Sequence, residues 1–306
     1  YYAPLPENTS LPLAYYRQLD FRPLMSAELK STRKQHTIAG PVRVSGFGYW
    51  SGIDSTVEFR PAKVNSGITF YRIGSSGETS IQANVFNRID VPRRTNLKTS
   101  HAQVDMVEHI LASLSGLQID NCDIYCTSQE MPGCDGSSRS FVDALVGVGI
   151  IEQQAARLGL VIARPVKVGT ADSWVVARPL PDAGRQARTV LHYHLDYGDH
   201  CVITAQQFRT TLTPDTFVRD LSPARTFVLE READEMRANG LGLKVSTSDL
   251  IVFGEQGPID TQLRFPDECA RHKVLDMVGD FALAGFDLIG EFEAYKAGHR
   301  LNAELI

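Results

Sequence analysis

The chain has 306 residues, of which 43% are hydrophobic and 22% are charged, a composition typical of a folded protein with room for two ordinary domains. A formal net charge of -5 at pH 7 argues against general nucleic-acid binding, and no apolar run is long enough for an integral membrane segment. The odd number of cysteines, five, argues against a disulfide framework, so we expect a reducing, cytoplasmic compartment.

Residues 1–32 are rich in Pro, Tyr and Leu, show no sustained hydrophobic period, and are predicted to form an N-terminal extension that wraps the first domain. Within them, the stretch from Ser26 to Leu29 favours the start of a short helix. The extension lacks the charged and apolar regions of a signal peptide. Because the sequence opens on Tyr1 rather than Met, we expect its true start to be missing or processed.

Residues 33–152 are predicted to form a first domain that begins with β-strands. Polar and apolar side chains alternate in several short segments, as they do in strands with one buried face. These segments are 37–38, 42–44, 56–61, 68–72, 84–89 and 121–127. A helix is predicted near the end of this domain, with Ser137 or Ser138 as its cap.

Another predicted helix of the first domain covers 104–117, where apolar residues recur at helical spacing from Val104 to Leu114. A second face of this helix carries His109 among small residues, with Glu108 beside it. A Glu–His pair on a helix is more often a solvated surface than a functional site. This helix alone therefore does not predict a function.

Residues 153–159 are polar and are predicted to link the first domain to a second domain over 160–306. The second domain also begins with predicted strands and continues with two helices and further strands. The strands are 160–162, 166–168, 173–178, 190–195, 250–253 and 289–294, and the helices are a charged one that ends before Asn239-Gly240 and one over 270–280. Because strands precede helices in both halves, we expect an α+β fold with two layers.

The predicted helix 270–280 carries His272, Asp276 and Asp280 on one face, because residues four apart are neighbours on a helix. Apolar side chains on another face indicate that the helix is largely buried. A buried charge is costly unless it is paired or bound to a metal. The alternative is a partly exposed helix whose acids pair with the neighbouring arginine and lysine.

The two helices together indicate a metal site. His109, His272 and Asp276 supply two imidazoles and one carboxylate, which leaves a fourth tetrahedral position for water, as in a catalytic zinc site. Glu108, next to a ligand, is placed to take a proton from that water as general base. The ligand set accepts Fe²⁺ as well as Zn²⁺.

Several short motifs along the chain together resemble those of a known family, and their shared order and spacing argue against coincidence. They are Val107-Glu108-His109, Gly116 to Asn121, Asp135-Gly136-Ser137, Ala224-Arg225-Thr226-Phe227, His272 to Asp276 with Gly279-Asp280, and Ala294 to His299. With these motifs the sequence resembles the zinc-dependent UDP-3-O-acyl-N-acetylglucosamine deacetylases of lipid A biosynthesis. The resemblance runs from about Arg33 to the C-terminus.

The resemblance implies roles for the motif residues. His109, His272 and Asp276 would bind the metal, and Glu108 would activate the water. Three further roles concern the substrate and the charges that develop during the reaction. Thr226 would donate a hydrogen bond to the oxyanion, His299 held by Asp280 would be the cationic partner of the leaving amine, and Lys273, Lys296 and Phe227 would contact the nucleotide-sugar.

The resemblance also implies a fold and a reaction. The fold would have two domains, each a β-sheet with helices, and the helices would pack between the two sheets. The reaction would be hydrolysis of the 2-acetamido group of a UDP-acyl-amino-sugar, giving acetate and a free amine. We expect a monomer that works in the cytoplasm.

The sequence departs from the family pattern in three places. Tyr49-Trp50 stands where Leu-His usually precedes Ser-Gly, and 93–97 replaces a small or Cys-containing stretch. Lys244-Val245-Ser246 stands in place of a Gly-Gly-Ser run, in the insert that lines the acyl-chain passage. We therefore expect the catalytic residues to be retained and the passage to be narrowed or charged.

Three functional hypotheses follow in order of preference. The first is the lipid A deacetylase itself, and the second is a related zinc amidase on another N-acylated sugar, favoured by the altered passage. The third is a catalytically silent binding or regulatory paralogue. Binding alone would not need a base, an acid and an oxyanion donor together, which argues against the third hypothesis.

A second group of histidines lies on one predicted strand. His192 and His194 alternate and so share a face, and His200 is near in sequence, which leaves a second metal site open. Half-exposed strand histidines are the preferred interpretation. The cysteines at 122, 126 and 134 lack paired Cys-x-x-Cys spacing and are expected to be small buried hydrophobes.

Overall fold

The structure, a computed structural model, describes residues 27–74, 77–181 and 187–306. Most of the predicted N-terminal extension lies outside the described residues. The predicted short helix is wrong, because residues 27–29 begin a strand that pairs antiparallel with 160–162. The described end of the extension therefore joins the sheet of the second half of the chain.

The described residues form eighteen strands and five α-helices of seven residues or more. The strands are β1 (Ala27–Ile38), β2 (Val42–Phe47), β3 (Asp54–Pro61), β4 (Ile68–Gly74), β5 (Gly77–Gln82), β6 (Arg88–Ile89), β7 (Asn96–Lys98), β8 (Gln103–Val104), β9 (Cys122–Cys126), β10 (Ile150–Ile162), β11 (Val166–Gly169), β12 (Trp174–Arg178), β13 (Thr189–Leu195), β14 (Gln206–Thr211), β15 (Phe227–Leu229), β16 (Ile251–Gly254), β17 (Gly257–Pro258) and β18 (Asp287–Tyr295). The helices are α1 (Glu108–Gly116), α2 (Arg139–Val148), α3 (Glu230–Ala238), α4 (Glu268–Ala282) and α5 (His299–Leu305).

The first half of the chain builds a sheet with the strand order β2-β3-β9-β4-β5. Alternate side chains of its strands, such as Val57, Phe59, Phe70 and Ile124, are fully buried. This burial explains why the alternating segments predicted strands correctly here. A short ladder of β6, β7 and β8 carries the loop that leads into α1.

The second half builds a larger sheet around β18. This strand pairs in parallel with β13 and with the end of β10, and antiparallel with β12. The predicted linker 153–159 lies inside β10 and pairs with β1. The connection between the halves is thus itself hydrogen-bonded strand, and the domain boundaries at 33, 152 and 160 stay a prediction.

The helices α1 and α4 pack against each other between the two sheets. One continuous apolar core includes Phe59 and Phe70 of the first sheet, Leu111 of α1, Leu275 of α4 and Phe292 of the second sheet. Helix α4 also contacts β13 and β14. The predicted two-layered α+β fold with helices between the sheets is confirmed.

Two predicted element boundaries are wrong. The helix predicted over 104–117 begins only at Glu108, because Met106 has a φ of 60° that an α-helix cannot include, and Val104 ends a strand instead. The segment 84–89 is a 3₁₀ turn followed by the two-residue β6. In both cases a short segment of irregular main chain contains apolar residues at the spacing of a regular element.

Both predicted cap residues lie at the start of α2, but the capping hydrogen bond is made by Ser137, whose Oγ accepts the N–H of Arg139 at 3.2 Å. Ser138 precedes the helix, yet its hydroxyl donates to the carbonyl oxygen of His109 at 3.0 Å. The same oxygen accepts a hydrogen bond from Ser113 at 2.8 Å. The serine therefore ties α2 to α1 beside the candidate metal ligand.

An ion cluster joins distant parts of the chain. The Arg33 guanidinium donates to Asp120 at 2.6 and 2.7 Å and to Asp287 at 3.0 Å, and Arg157 donates to Asp287 at 3.0 Å. Asp120, in the Gly116–Asn121 motif, is 6% exposed. The cluster connects β1, β10, β18 and the turn after α1.

Replacing Asp120 with Asn is expected to lower the free energy of unfolding by about 2 kcal/mol, because two half-buried guanidiniums then share one carboxylate. Urea unfolding monitored by circular dichroism measures this change. Asp234→Asn is the matched control, since Asp234 pairs with Arg237 at an exposed site and its loss should cost less than about 1 kcal/mol. Equal losses in the two variants would contradict a structural role for the cluster.

Among residues 27–74, 77–181 and 187–306, no helix is long and apolar enough to cross a membrane. All five cysteines are free thiols, and three of them, Cys122, Cys126 and Cys269, are buried. The expectation of small buried hydrophobes is met by Cys122 and Cys126, whereas Cys134 is half-buried.

Candidate functional site

The structure brings the three predicted metal ligands together. His109 comes from the first turn of α1, and His272 and Asp276 lie one turn apart on α4. One ligand atom from each of the three lies within 4.8 Å of the other two, and all three residues are buried. The contact between α1 and α4 thus creates a cluster that neither helix forms alone.

The histidine rings are oriented to offer nitrogen lone pairs. Nδ1 of His272 lies 3.1 Å from the Ala224 carbonyl oxygen, so this nitrogen must carry the proton, and Nε2 faces Asp276 Oδ1 at 3.4 Å. Nε2 of His109 lies 3.8 Å from the same oxygen, while its buried Nδ1 has no hydrogen-bond partner. Burial, together with the charge of the other histidine, lowers the pKa of His109 to about 3. Burial also lowers the pKa of His272.

Asp276 supplies the negative charge of the cluster. Burial alone would raise the pKa of its carboxyl, but Lys273 and the three nearby histidines together move that pKa below its usual range. The Lys273 ammonium donates to Oδ2 at 3.0 Å, which leaves Oδ1 facing the two imidazoles. Two neutral imidazoles and one carboxylate form a donor set that suits Zn²⁺ or Fe²⁺.

The alternative explanation of helix α4 applies only in part. Lys273 does pair with Asp276, but Arg271 pairs with Asp267 at 2.6 Å. Asp280 is fully buried and bonds to neither cation in the described structure. The acids of α4 are therefore not a solvated, ion-paired surface.

Glu108 begins α1 and is 3% exposed. Its Oε2 accepts a hydrogen bond from the main-chain N–H of Thr95 at 2.9 Å. Burial and the nearby Asp276 carboxylate raise the pKa of Glu108 to about 7, although the charge of His299 opposes that rise. A carboxyl group with this pKa exchanges protons readily near neutral pH.

His299 starts α5, and its Nδ1 lies 2.9 Å from Asp280 Oδ2. Burial alone would lower the pKa of His299, but the charge and hydrogen bond of Asp280, with smaller contributions from Asp276 and Glu108, raise it to about 9. Asp280 is fixed by two further donors, the Asn302 amide at 2.8 Å and the Thr95 hydroxyl at 2.6 Å. The imidazole is therefore a cation at neutral pH.

Thr95 and Asn302 are site residues that the sequence analysis missed. Thr95 contacts Glu108 through its main chain and Asp280 through its hydroxyl. Its position inside the unusual segment 93–97 was the signal that could have drawn attention to it. Asn302 had no comparable signal.

Two motifs together position Thr226. The main-chain N–H of Thr226 donates to the Gly136 carbonyl at 2.7 Å, and Gly136 has a φ of 78°. A Cβ at Gly136 would lie 2.9 Å from the Asp249 carbonyl oxygen, so only glycine fits this turn without a shift. The preceding Arg225 is bound by buried Glu268 of α4 at 2.9 Å.

Gly279 allows the close contact between α1 and α4. A Cβ at this position would lie 2.1 Å from the carbonyl oxygen of Glu108 and 3.1 Å from its Cα. Both atoms belong to main chain that cannot rotate away. The absence of a side chain at residue 279 therefore sets the distance between His109 and the candidate ligands on α4.

Replacing Gly279 with Ala is expected to lower the free energy of unfolding by about 1–3 kcal/mol and to reduce metal affinity, because overpacking separates the two helices. Thermal unfolding and metal titration measure the two effects. Gly147→Ala on α2 is the matched control, since a Cβ there meets no atom within 4 Å and alanine is the better helix former. An unchanged metal affinity in Gly279→Ala would show that the helices can adjust.

The candidate site opens into a cavity of about 860 Å³. Its wall contains nearly every residue that the sequence predicted for the site. These are Glu108, His109, Thr226, Phe227, His272, Lys273, Asp276, Lys296 and His299. Asp280 lies behind His299 and does not line the cavity.

A comparison with models of known protein families shows which family the chain matches. Residues 35–306 match the family described as UDP-3-O-acyl N-acetylglycosamine deacetylase. The chain belongs to this deacetylase family. The resemblance that the motifs indicated is thereby confirmed, as is the prediction of an enzyme.

Individual relatives agree with the family match. A relative from Anaeromyxobacter sp. (strain Fw109-5) is 38% identical over 273 residues, which cover 89% of this chain and 87% of the relative. One from Psychrobacter arcticus is 36% identical over 90% of this chain and 85% of its own length. One from Brucella ovis is 35% identical over 89% and 93%. Each carries the name UDP-3-O-acyl-N-acetylglucosamine deacetylase.

The residues that are expected to depart from the family pattern line the cavity only in part. Val245 and Ser246 contribute to its wall. The Lys244 ammonium instead pairs with Asp54 at 2.6 Å and lies over the Phe47 ring at 4.7 Å. Lys244 therefore does not add a charge to the cavity.

Two other residues that are expected to depart from the pattern do form the cavity wall. The Tyr49 ring occupies the space beside Gly133, and its hydroxyl donates to the carbonyl oxygens of Cys134 and Asp249. Arg93 pairs with Glu232 of α3 at 2.9 Å, and both side chains line the cavity. This ion pair joins the loop before α1 to the small unit formed by α3 and β15–β17.

Proposed function

We propose that this deacetylase is a zinc-dependent amidase that removes the N-acetyl group from UDP-3-O-acyl-N-acetylglucosamine, the committed step of lipid A biosynthesis. One observation carries the proposal. The three ligand atoms of His109, His272 and Asp276, the acid–base pair Glu108 and His299, and Thr226 all face one cavity. The names of the relatives supply the substrate.

The metal would be held by His109, His272 and Asp276, and when bound it supplies a Lewis acid and lowers the pKa of water. Glu108 takes a proton from the water that attacks the amide carbonyl carbon. The Thr226 hydroxyl donates a hydrogen bond to the carbonyl oxygen as negative charge develops there.

His299 completes the reaction on the leaving-group side. Its imidazolium donates a proton to the sugar nitrogen as the carbon–nitrogen bond breaks, giving acetate and a free amine. Asp280 keeps the imidazole charged and oriented, since Nδ1 is bound to the carboxylate. The other nitrogen, Nε2, is then the one that carries the transferred proton.

The cavity offers two kinds of wall for the substrate. The ammonium groups of Lys273 and Lys296 and the ring of Phe227 suit a sugar with a diphosphate. Val228 and Val252, with neighbouring apolar side chains of the same unit, suit an acyl chain. A UDP-acyl-amino-sugar needs both surfaces at once.

A second candidate is a zinc amidase for a different N-acylated sugar. The Arg93–Glu232 ion pair and the Tyr49 ring favour it, because both stand in the wall of the cavity at positions where the family pattern differs. These groups alter the surface that meets the acyl chain and leave the acid–base pair unchanged.

The test is mass spectrometry of UDP-3-O-acyl-N-acetylglucosamine after incubation with zinc-loaded protein, with chelator-treated protein beside it. Loss of one acetyl group with the zinc-loaded protein only supports the first candidate. No loss in protein with a full equivalent of zinc, but turnover of an analogue with a shorter or no 3-O-acyl chain, would favour the second. Turnover that survives complete metal removal would contradict both.

A further inference from the structure

The face of the second sheet that points away from the cavity carries side chains that the proposed reaction does not use. His192 and His194 alternate on β13, and Tyr193 between them lines the cavity on the opposite face. Glu293 of β18 lies directly opposite His192 in the parallel strand pair. The three side chains therefore project together from the outer face.

Their ligand atoms converge. Oε1 of Glu293 lies 2.9 Å from Nε2 of His194 and 3.7 Å from Nδ1 of His192. The two imidazole ring centroids are 4.0 Å apart, and one ligand atom from each residue lies within 4.8 Å of the other two. We propose that His192, His194 and Glu293 form a second binding site for a divalent transition-metal ion, separate from the catalytic cavity.

The chemistry of the three ligands selects the class of ion. Two imidazoles favour Zn²⁺, Cu²⁺ or Ni²⁺, whereas Mg²⁺ and Ca²⁺ prefer sites made only of oxygen ligands. The side chains are 19%, 30% and 23% exposed, so an ion can enter from solvent and keep water as its remaining ligands. Both histidines belong to a regular strand, which fixes their spacing before the ion arrives.

The surrounding charges set the strength of the site. Arg178 of β12 donates to Oε2 of Glu293 at 2.5 Å, which orients the carboxylate and leaves Oε1 for the ion. Arg209 of β14, opposite His192 in the strand pairing, is bound to Glu291 at 3.0 Å. Two nearby guanidiniums repel a divalent cation, so this site binds more weakly than the buried cluster of His109, His272 and Asp276.

An ion at this site connects β13 to β18 across their outer face. The same two strands lead to the catalytic side, since the main-chain N–H of Lys296, just after β18, donates to the His194 carbonyl at 3.1 Å. The second ion would therefore stabilise the strand pair that ends next to Lys296 and His299. This effect does not depend on which sugar the enzyme uses.

The test is a zinc titration of the metal-free protein by isothermal calorimetry, with bound metal counted after dialysis. The wild type is expected to bind two equivalents with different affinities. In the double variant His192→Ala/His194→Ala the weaker equivalent should bind at least about tenfold more weakly, with the stronger one unchanged. His200→Ala is the matched control, since His200 is exposed and lies outside the cluster, and it should keep both equivalents.

Chemical protection tests the site in the wild-type chain and does not depend on the folding of a variant. Diethyl pyrocarbonate modification of each histidine is followed by peptide mass spectrometry with one and with two equivalents of zinc. The second equivalent should protect His192 and His194 and leave the exposed His101 and His200 reactive. Three results would overturn the proposal. The wild type could bind only one equivalent of zinc, the double variant could bind the weaker equivalent with unchanged affinity, or His192 could be modified equally with and without the second ion.

Discussion

Replacing Glu108 with Gln is expected to lower kcat/KM at least about 100-fold, because the amide cannot take a proton from the attacking water. Metal binding should be unchanged, since the Glu108 carboxylate is not part of the ligand cluster. The variant is nearly isosteric, and its amide oxygen can still accept the Thr95 N–H that Glu108 accepts at 2.9 Å. Steady-state kinetics and metal analysis of the same preparation measure both quantities.

The fold should also tolerate this change. The pKa of Glu108 is raised to about 7, which means that the folded protein disfavours the ionised form. Because the pKa of Glu108 is higher in the folded than in the unfolded state, its ionisation lowers the free energy of unfolding as the pH rises. A neutral Gln avoids this cost and should not lower the thermal unfolding midpoint at pH 8. Glu255→Gln, at an exposed position, is the matched control for kinetics. Loss of the metal in Glu108→Gln, or activity within a few-fold of the wild type, would show that the role of Glu108 is assigned wrongly.

Replacing Asp280 with Asn is expected to shift the basic limb of the pH profile of kcat/KM to lower pH. In the proposed reaction His299 acts as a cation, so we expect activity to fall as the pH rises through its pKa of about 9. Without the Asp280 carboxylate, that pKa falls toward its ordinary value of 6.5. At pH 8 the charged fraction would then be about 3%, which predicts a loss of roughly 30-fold that shrinks as the pH is lowered.

The shape of the profile separates this role from a structural one. A variant that is merely misfolded loses activity by the same factor at every pH, whereas the ratio of Asp280→Asn to wild-type activity should approach one as the pH is lowered. Asp143→Asn, on the exposed surface of α2, is the matched control and should keep the limb of the wild type. A basic limb that stays near pH 9 in Asp280→Asn would mean that another group controls it.

Local sequence patterns predicted the parts of the site that depend on one helix. The spacing of His272, Asp276 and Asp280 places them on one face of α4 whatever the rest of the chain does. Pairing that face with His109 rested on the chemistry of the three side chains and not on a periodic pattern, because contact between α1 and α4 depends on residues far apart in the sequence. Gly279, which sets that contact, has no periodic signal of its own.

The elements and contacts that were missed or wrongly predicted depend on main-chain geometry or on distant residues, and neither leaves a pattern in the local sequence. The positive φ of Met106 delays the start of α1, and no apolar period records it. The pairing of β1 with β10 joins residues more than a hundred positions apart, so the helix predicted at 26–29 competed with a partner that the local sequence does not show. The orientation of Lys244 toward Asp54 depends on the same kind of distant contact.

Thr95 contacts both sides of the proposed reaction with different parts of one residue. Its main-chain N–H donates to Glu108, and its hydroxyl donates to Asp280, the partner of His299. Any residue except proline retains the first hydrogen bond, while only serine or threonine can keep the second in the same form. A substitution at this position in a relative can therefore change the hydrogen bond to Asp280, and with it the pKa of the proposed proton donor. The hydrogen bond to the proposed proton acceptor survives any substitution except one to proline.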